Sequence, residues 1–211
     1  MSDDYTKQTI AMYDQIAEDY AKKIDQYAPQ EERAKFLHFL PARAVIYDAG
    51  CGPGRDSAYF TSLGHAVTGV DLSPKLLEIA RKKSPSVTFI EGDIRSYSFP
   101  ADSFDGVWVC ASLLHMPRHD ALGVLTQFYR CMKFGGILFL SVKEGIGEAE
   151  ITSGLSSHLP RHFTYYTQQE IRTFVGKAGF YVLEESLWNQ QMRWPERANE
   201  MWISLLSRKN A

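Results

Sequence analysis

Short apolar runs alternate with helical patterns along the chain, and this alternation limits the possible folds more than any other feature of the sequence. Each run is rich in apolar or β-branched residues and is bounded by Gly, Asp or Ser, as is typical of a strand. Runs that are apolar on both faces suit a parallel sheet covered by helices on both sides. We therefore predict an α/β fold with a doubly wound sheet. The runs are AVIYDAG (44–50), HAVTGVDL (65–72), SVTFIEGD (86–93), FDGVWVCAS (104–112) and GILFLSVK (136–143).

Capping signals and the end of the chain complete the predicted topology. Ser73 precedes a proline, which indicates an N-cap followed by the first helical turn. Thr167 and Glu170 have the spacing of a capping box. Two further strand-like runs, 179–188 and 200–209, have no helical pattern between them, so we expect them to pair antiparallel. The sequence thus predicts a mostly parallel, seven-stranded sheet with an antiparallel last strand.

The whole chain, residues 1–211, is predicted to form a single domain, as its length favours. Its start is expected to contain two helices, with Tyr13 and Tyr20 on one face of the first; such a face packs into a core or forms a lid over a ligand. The predicted parts are an N-terminal helical cap (1–40), a cofactor-binding core (44–143), a cap loop (144–166), and a last helix with an antiparallel strand pair (167–211).

Charge and cysteine content limit the partners we expect. The formal net charge is −2, and Lys and Arg form no run longer than scattered pairs, so no nucleic-acid surface is predicted. Cys51, Cys110 and Cys131 lie far apart, which argues against a disulfide framework or a zinc site. The first ten residues lack the apolar core of a signal peptide, and the longest apolar run, 106–116, is shorter than the ~20 residues of a membrane span. We expect a cytoplasmic monomer or homodimer without a metal or a membrane partner.

The first predicted strand ends in the glycine turn DAGCGPGRD, at the position where ligands bind in open α/β sheets. Gly50, Gly52 and Gly54 differ from the dinucleotide fingerprint G-x-G-x-x-G, because Arg55 stands where its third glycine is expected. Asp48 precedes the glycines, where it would repel a phosphate and attract a cation. The turn therefore predicts a ligand whose nearest group is cationic rather than a pyrophosphate.

Carboxylates also end the second and third predicted strands. Asp71 can accept hydrogen bonds from the hydroxyls of a ribose, or can act only as a cap for the helix that follows. Asp93 can accept a hydrogen bond from an adenine amino group, with Ile94 against the ring, or can be an ordinary loop carboxylate. An adenosine with a cationic tail satisfies all of these positions. S-adenosylmethionine, which yields S-adenosylhomocysteine as product, is such a molecule.

The sequence resembles the class I S-adenosylmethionine-dependent methyltransferases over residues 44–143. The resemblance depends on VIYDAGCGPGRDS, GVDLSP, FIEGDI, FDGVWVCASLLHM and FGGILFLSVKEG, which occur in the order of that Rossmann-like family. It implies that Gly50, Gly52 and Cys110 contact the methionine moiety, that Asp71 contacts the ribose, and that Leu72 contacts the adenine. It also implies that Tyr13 and Tyr20 cover the cofactor. The cofactor-binding residues we predict are Tyr13, Tyr20, Asp48, Gly50, Gly52, Asp71, Leu72, Asp93, Ile94 and Cys110.

His115 follows the fourth predicted strand and is the candidate catalytic residue. It would act as a general base, or contact the acceptor, or be a structural histidine. The position after that strand lacks the Asn/Asp-Pro-Pro-aromatic motif of the family's nucleic-acid amine methylators, and no cysteine follows a proline, so a small-molecule acceptor is predicted. The acceptor-binding candidates are His115, Arg161, Tyr165 and Tyr166, with His162, Trp188 and Arg193 as further residues of the cap.

Two other functions stay open at this point. A non-catalytic S-adenosylmethionine-binding protein would keep the same turn and the same carboxylates. A nucleotide-dependent oxidoreductase would share the fold, but the substitution at Arg55 and the carboxylates at Asp48 and Asp93 argue against it. The leading prediction is a methyltransferase that transfers a methyl group to an oxygen, nitrogen or sulfur atom of a small molecule.

Overall fold

The computed structural model describes residues 4–152 and 160–210, which contain a large central sheet and a small two-stranded one. The strands are β1 (Val45–Ala49), β2 (Ala66–Asp71), β3 (Thr88–Glu91), β4 (Phe104–Cys110), β5 (Met132–Lys143), β6 (Glu148–Ile151), β7 (Arg161–Thr164), β8 (Phe180–Asn189) and β9 (Met201–Lys209). The helices are α1 (Asp4–Gln15), α2 (Ala17–Ile24), α3 (Gln30–His38), α4 (Arg55–Ser62), α5 (Pro74–Lys83), α6 (Ala121–Cys131), α7 (Gln168–Lys177) and α8 (Gln190–Arg193).

The central sheet has seven strands in the order β3-β2-β1-β4-β5-β9-β8. The first five strands of the chain pair in parallel, whereas β9 is antiparallel to both of its neighbours, β5 and β8. The order reverses between β1 and β4, so the ends of these strands open a crevice at the edge where ligands bind in doubly wound sheets. The predicted fold class is confirmed.

Helices cover both faces of the sheet. Successive residues of a strand point to opposite faces, so Tyr47 and Val109 pack toward α6 and α7, while Ile46 and Trp108 pack toward α3, α4 and α5. The predicted caps are present: the Ser73 hydroxyl accepts a hydrogen bond from the Leu76 amide, and Thr167 begins α7 with a complete capping box.

Three predictions about the outer segments are corrected by the structure. The N-terminal cap contains three helices rather than two, because the helical conformation is interrupted between α1 and α2 at Ile16, which has φ −107° and ψ 14°. The predicted cap loop 144–166, of which 153–159 lie outside the described residues, contains the antiparallel pair β6 and β7. The short helix α8 lies between β8 and β9, where no helix was expected.

The cap helices lie over the carboxyl ends of the parallel strands. Helix α1 packs against β7 and α5, and α2 packs against α5. The cap thus closes the crevice at the switch point. Among the described residues, no helix combines the length and the apolar character that crossing a membrane would require.

Candidate active site

A cavity of about 810 Å³, including its open mouth, lies under the cap at the carboxyl ends of β1, β2 and β4. Its wall includes most of the predicted cofactor-binding residues: Tyr13, Tyr20, Gly50, Gly52, Asp71, Leu72, Asp93, Ile94 and Cys110. His115 also lines it. We call it the cofactor cavity.

The glycine turn forms the floor of this cavity with a backbone that other residues rarely adopt. Gly50 has φ +75° and Gly52 has φ +51°. A Cβ on Gly50 would lie 2.3 Å from the Cβ of Ser112, far inside a normal contact. The nearest protein atom to a Cβ on Gly52 would be 3.9 Å away, on Leu76. The turn is therefore shaped for close approach of a ligand to the backbone.

Asp71 connects the end of β2 to the glycine turn. One of its carboxylate oxygens accepts from the Gly52 amide at 2.8 Å and the other from the Ser73 amide at 2.9 Å. Burial raises the pKa of this carboxyl group above its usual range. The Leu72 amide hydrogen-bonds to the same carboxylate. A carboxylate has about four acceptor positions, so about one remains for a ligand. Ribose hydroxyls fit this site, because a hydroxyl that donates to Asp71 would replace the water that burial removes from the carboxylate.

The carboxylate of Asp93 has a partner that the sequence analysis missed. Arg95 donates from Nε and Nη2 to Asp93, the latter at 2.6 Å, and its own backbone amide donates to Asp93 Oδ1 at 2.9 Å. Arg95 lines the cavity as well, beside the buried side chain of Ile94. An adenine edge at this position would meet an ion pair rather than an isolated carboxylate. The signal was the arginine two residues after the aspartate in EGDIR.

Asp48 is not brought to the cavity wall, which corrects the expectation that it faces a cationic ligand. It lies buried beneath the turn and accepts a 2.6 Å hydrogen bond from the Ser57 hydroxyl. Burial and the nearby carboxylate of Asp56 raise its pKa to about 7. Its hydrogen bond to α4 instead braces the turn from below.

Asp56 organises the same region from the start of α4. It accepts hydrogen bonds from Arg33 at 2.8 Å, from Arg55 and from the Trp108 indole at 3.0 Å. Burial opposes its ionisation, but the two guanidinium groups outweigh burial and hold its pKa low, at about 2. Arg55 also donates to the Tyr27 carbonyl at 3.0 Å. Arg55, which stands where the dinucleotide fingerprint has its third glycine, therefore connects the glycine turn to the cap.

Tyr13 of α1 and Tyr20 of α2 both line the cavity from the side of the cap. Their ring centroids are 5.0 Å apart in an edge-on arrangement. Burial raises the pKa of both hydroxyls, so both stay protonated at neutral pH. Cys110 lines the cavity wall near them, and burial raises the pKa of its thiol to about 12. That thiol is not a nucleophile at neutral pH, because the thiolate is the reactive form.

His115 has a defined tautomer. Its Nδ1 lies 2.9 Å from the His162 carbonyl oxygen, which can only accept, so Nδ1 carries the proton. Its Nε2 therefore accepts from the Tyr13 hydroxyl, 3.0 Å away. Burial lowers the pKa of His115 to about 3, and the positive charges of Arg161 and Lys143 act in the same direction. The imidazole is neutral at physiological pH.

The predicted acceptor-binding residues divide into two groups. Arg161 hydrogen-bonds to the Tyr13 hydroxyl and so lies at the His115 end of the cavity. Tyr166 is fully buried in the core beneath the Arg118 guanidinium, which corrects the expectation that it contacts an acceptor. Tyr165 packs beside Phe163 and does not line the cavity, which is a second correction.

The further cap residues occupy other places. His162 contributes its backbone carbonyl to His115, and its ring is buried. Trp188 lines a second cavity that adjoins the first at Tyr20 and Cys110. Arg193 lies over the Trp188 ring, 4.1 Å from its centroid. Among the described residues, no group of three or more His, Cys, Asp or Glu side chains is arranged to hold a metal ion.

Comparison with known proteins agrees with this geometry. Residues 46–136 match the methyltransferase domain family. The chain is 37% identical over 102 residues to the malonyl-[acyl-carrier protein] O-methyltransferase of Enterobacter lignolyticus, covering 47% of this chain and 39% of that protein. It is 35% identical over 105 residues to the trans-aconitate 2-methyltransferase of Enterobacter sp. strain 638, covering 49% and 40%. The chain thus spans less than half the length of these curated relatives.

A solved structure shares the whole fold. The 1,6-didemethyltoxoflavin-N1-methyltransferase of Burkholderia thailandensis, solved with 1,6-didemethyltoxoflavin and S-adenosylhomocysteine, has a TM-score of 0.74 and 22% identity. The match covers 100% of this chain and 92% of that one. Residues 46–136 therefore form a methyltransferase domain of the class I S-adenosylmethionine-dependent type, and the whole chain shares the fold of a solved methyltransferase.

Proposed function

We propose that this protein transfers a methyl group from S-adenosylmethionine to an oxygen, nitrogen or sulfur atom of a small molecule. One observation carries the proposal: the glycine turn and the strand-end residues Asp71, Asp93 and Ile94 line a single cavity. These residues come from three different strand ends, and each matches a different part of an adenosine with a short tail. Residues with only a structural role would not need to meet in one cavity in this way.

We assign each residue one part of the cofactor. Asp71 would accept from the ribose hydroxyls, and Leu72 and Ile94 would enclose the adenine. The Gly52 backbone and Cys110 would adjoin the methionine moiety. This arrangement is supported by the lining of the cavity and by the acceptor position that remains on Asp71.

The bound cofactor supplies a methyl group on a sulfonium, so the acceptor's lone pair forms the new bond while the electrons of the breaking carbon–sulfur bond stay on sulfur. The protein then has to align the acceptor and exclude water, and alignment of this kind can supply ~7–11 kcal/mol of the barrier. Helices α1 and α2 serve this purpose by closing the cavity with Tyr13 and Tyr20, respectively. A proton on the acceptor leaves to solvent.

His115 acts in this proposal as a positioning residue. A neutral imidazole with a pKa near 3 retains a proton too weakly to be an effective general base at neutral pH. Its fixed tautomer instead holds the Tyr13 hydroxyl at the cavity wall. In this proposal His115 therefore orients Tyr13 in the lid and does not act as the general base that the sequence suggested.

A small acceptor in the cytoplasm agrees with the charge of the chain. The formal net charge is −2, and no basic run offers a surface for nucleic acid. The relatives differ in the acceptors they are named for: a malonyl group on an acyl-carrier protein, trans-aconitate and 1,6-didemethyltoxoflavin. Their names therefore support a small acceptor group without choosing between an acid and a heterocycle.

Ligand-induced stabilisation tests the proposal. S-adenosylhomocysteine at 100 times its dissociation constant should add about 2.7 kcal/mol to the free energy of unfolding, whereas NADH should add nothing. Stabilisation by NADH alone would contradict the cofactor assignment. Formation of S-adenosylhomocysteine from S-adenosylmethionine with a metabolite panel then tests turnover. Tight binding without turnover across that panel would favour the non-catalytic binding protein.

A further inference from the structure

The cofactor assignment leaves the second cavity of the cap region unused. It encloses about 600 Å³, including its mouth, and lies over the ends of β4 and β5. It shares Tyr20, Cys110 and Ala111 with the cofactor cavity, so the two spaces meet at the wall assigned to the methionine moiety. A molecule in the second cavity would adjoin the end of the cofactor from which the methyl group leaves.

Four aromatic residues line this cavity, which we call the aromatic chamber: Tyr27, Trp188, Trp194 and Trp202. Trp188 and Trp202 lie nearly parallel, with centroids 5.8 Å apart, and Trp194 is edge-on to Trp188 at 6.0 Å. The Trp188 indole donates to Ser204 at 2.9 Å, and the Trp202 indole donates to Gln190 at 3.2 Å. Because both N–H groups are held, the ring faces are fixed. Fixed aromatic faces favour a flat, π-rich ligand.

Glu32 supplies the polar side of the chamber. It is only 4% exposed, although it carries a carboxylate. Its Oε1 accepts from Arg193 at 2.6 Å, but no donor among the described residues reaches its Oε2. A buried acceptor without a partner is costly, so a ligand N–H is the group that this position would accept.

The cations of the chamber favour the same class of ligand. Arg55 is held by Asp56 and by backbone carbonyls, so it is not available to a carboxylate. Arg197 lies over the Tyr27 ring and donates from Nη2 to Gln190, while its Nε has no acceptor among the described residues. That single N–H matches a carbonyl oxygen or a ring nitrogen better than it matches a second full negative charge beside Glu32.

We infer that the aromatic chamber is the acceptor site and that the acceptor is a planar heteroaromatic molecule with a ring N–H or amino group. The flat ring lies against the aromatic side chains that line the chamber, its N–H donates to Glu32, and a carbonyl or ring nitrogen accepts from Arg197. This inference rests on the proposed function, because it places the acceptor beside the bound cofactor.

The test uses the full chain saturated with S-adenosylhomocysteine and follows tryptophan fluorescence and calorimetric heat. The ligands are a pteridine, a pyrimidinedione and an aminopurine, with a saturated amine and a tricarboxylic acid as comparison compounds. At least one heteroaromatic compound should quench fluorescence to saturation, and the comparison compounds should not. Binding of only the acid or only the saturated amine, or of no heteroaromatic compound, would overturn the inference.

Two glutamate variants show whether binding occurs at the chamber. Glu32→Gln should weaken heteroaromatic binding about tenfold or more, because a charge-assisted hydrogen bond is lost. Glu31→Gln is the matched control, since Glu31 also pairs with Arg193 but is 76% exposed and does not line the chamber. Equal affinity in both variants would overturn the inference.

A third variant guards against a folding defect at the buried carboxylate. Trp194→Ala, at a half-buried ring of the wall, should weaken the heteroaromatic compound and leave S-adenosylhomocysteine affinity unchanged. Unchanged heteroaromatic binding in this variant would contradict the chamber. S-adenosylhomocysteine affinity also separates the two proposals: its absence from the wild-type protein defeats the proposed function, whereas its presence without chamber binding defeats only this inference.

Discussion

Replacing Gly52 by alanine is expected to weaken cofactor binding at a small cost in stability. An alanine at φ +51° costs about 1–2 kcal/mol in backbone strain. The new methyl group meets no protein atom closer than 3.9 Å, so no steric cost is added within the chain. The residue lies on the wall of the cofactor cavity, where the methyl group would crowd a ligand. An overpacking cost of about 1–3 kcal/mol weakens binding about 5- to 150-fold.

Two glycine controls separate strain from ligand contact. Gly64→Ala has φ +89° and open space around its Cβ, so it should lose the same stability and keep cofactor affinity. Gly50→Ala should lose about 1–3 kcal/mol more, because its Cβ would lie 2.3 Å from that of Ser112. Urea unfolding gives the stabilities, and calorimetric titration with S-adenosylhomocysteine gives the affinities. Wild-type affinity for S-adenosylhomocysteine in Gly52→Ala would refute the placement of the cofactor against the glycine turn.

Three further changes test the rest of the site. Asp71→Asn should weaken S-adenosylhomocysteine binding about tenfold or more in calorimetry, because charge-assisted hydrogen bonds are lost; unchanged affinity would leave Asp71 only a cap. Tyr13→Phe should lower kcat with little change in S-adenosylhomocysteine affinity, since the hydroxyl held by His115 is lost; equal kcat would contradict the positioning role. The pKa of His115 falls from 6.5 unfolded to about 3 folded, so the unfolded chain binds more protons between these values and stability should fall as pH drops through that window. The loss is at most about 5 kcal/mol and is reduced by solvent screening. In pH-dependent urea unfolding, His115→Asn should lack this loss; a pH profile identical to that of the wild type would refute the low pKa.

The central sheet was predictable because its strands are apolar on both faces and stand between clear breaks. Each of the five parallel strands falls within or overlaps its predicted run, although β5 begins at Met132 rather than near 136. The small sheet was not predictable, because Glu148 of β6 pairs with Thr164 of β7 across a long separation in sequence. The break at Ile16 gave no proline or glycine signal.

The candidate site was predictable where a residue's position at a strand end decides its role. Asp71 belongs to this class, since the topology alone brings it to the switch point. The position predicted for Asp48 was wrong, because its environment depends on Asp56 and on the two arginines that bind Asp56. The aromatic chamber could not be predicted, because its rings come from distant parts of the sequence and no local pattern connects them.

A structure of the protein with bound S-adenosylhomocysteine is the decisive measurement for the cofactor cavity. In it we expect the ribose hydroxyls within hydrogen-bonding distance of Asp71, the adenine between Leu72 and Ile94, and the homocysteine tail on the backbone of the Gly50–Gly52 turn. A nucleoside bound outside the cofactor cavity, or a ribose without contact to Asp71, would contradict it.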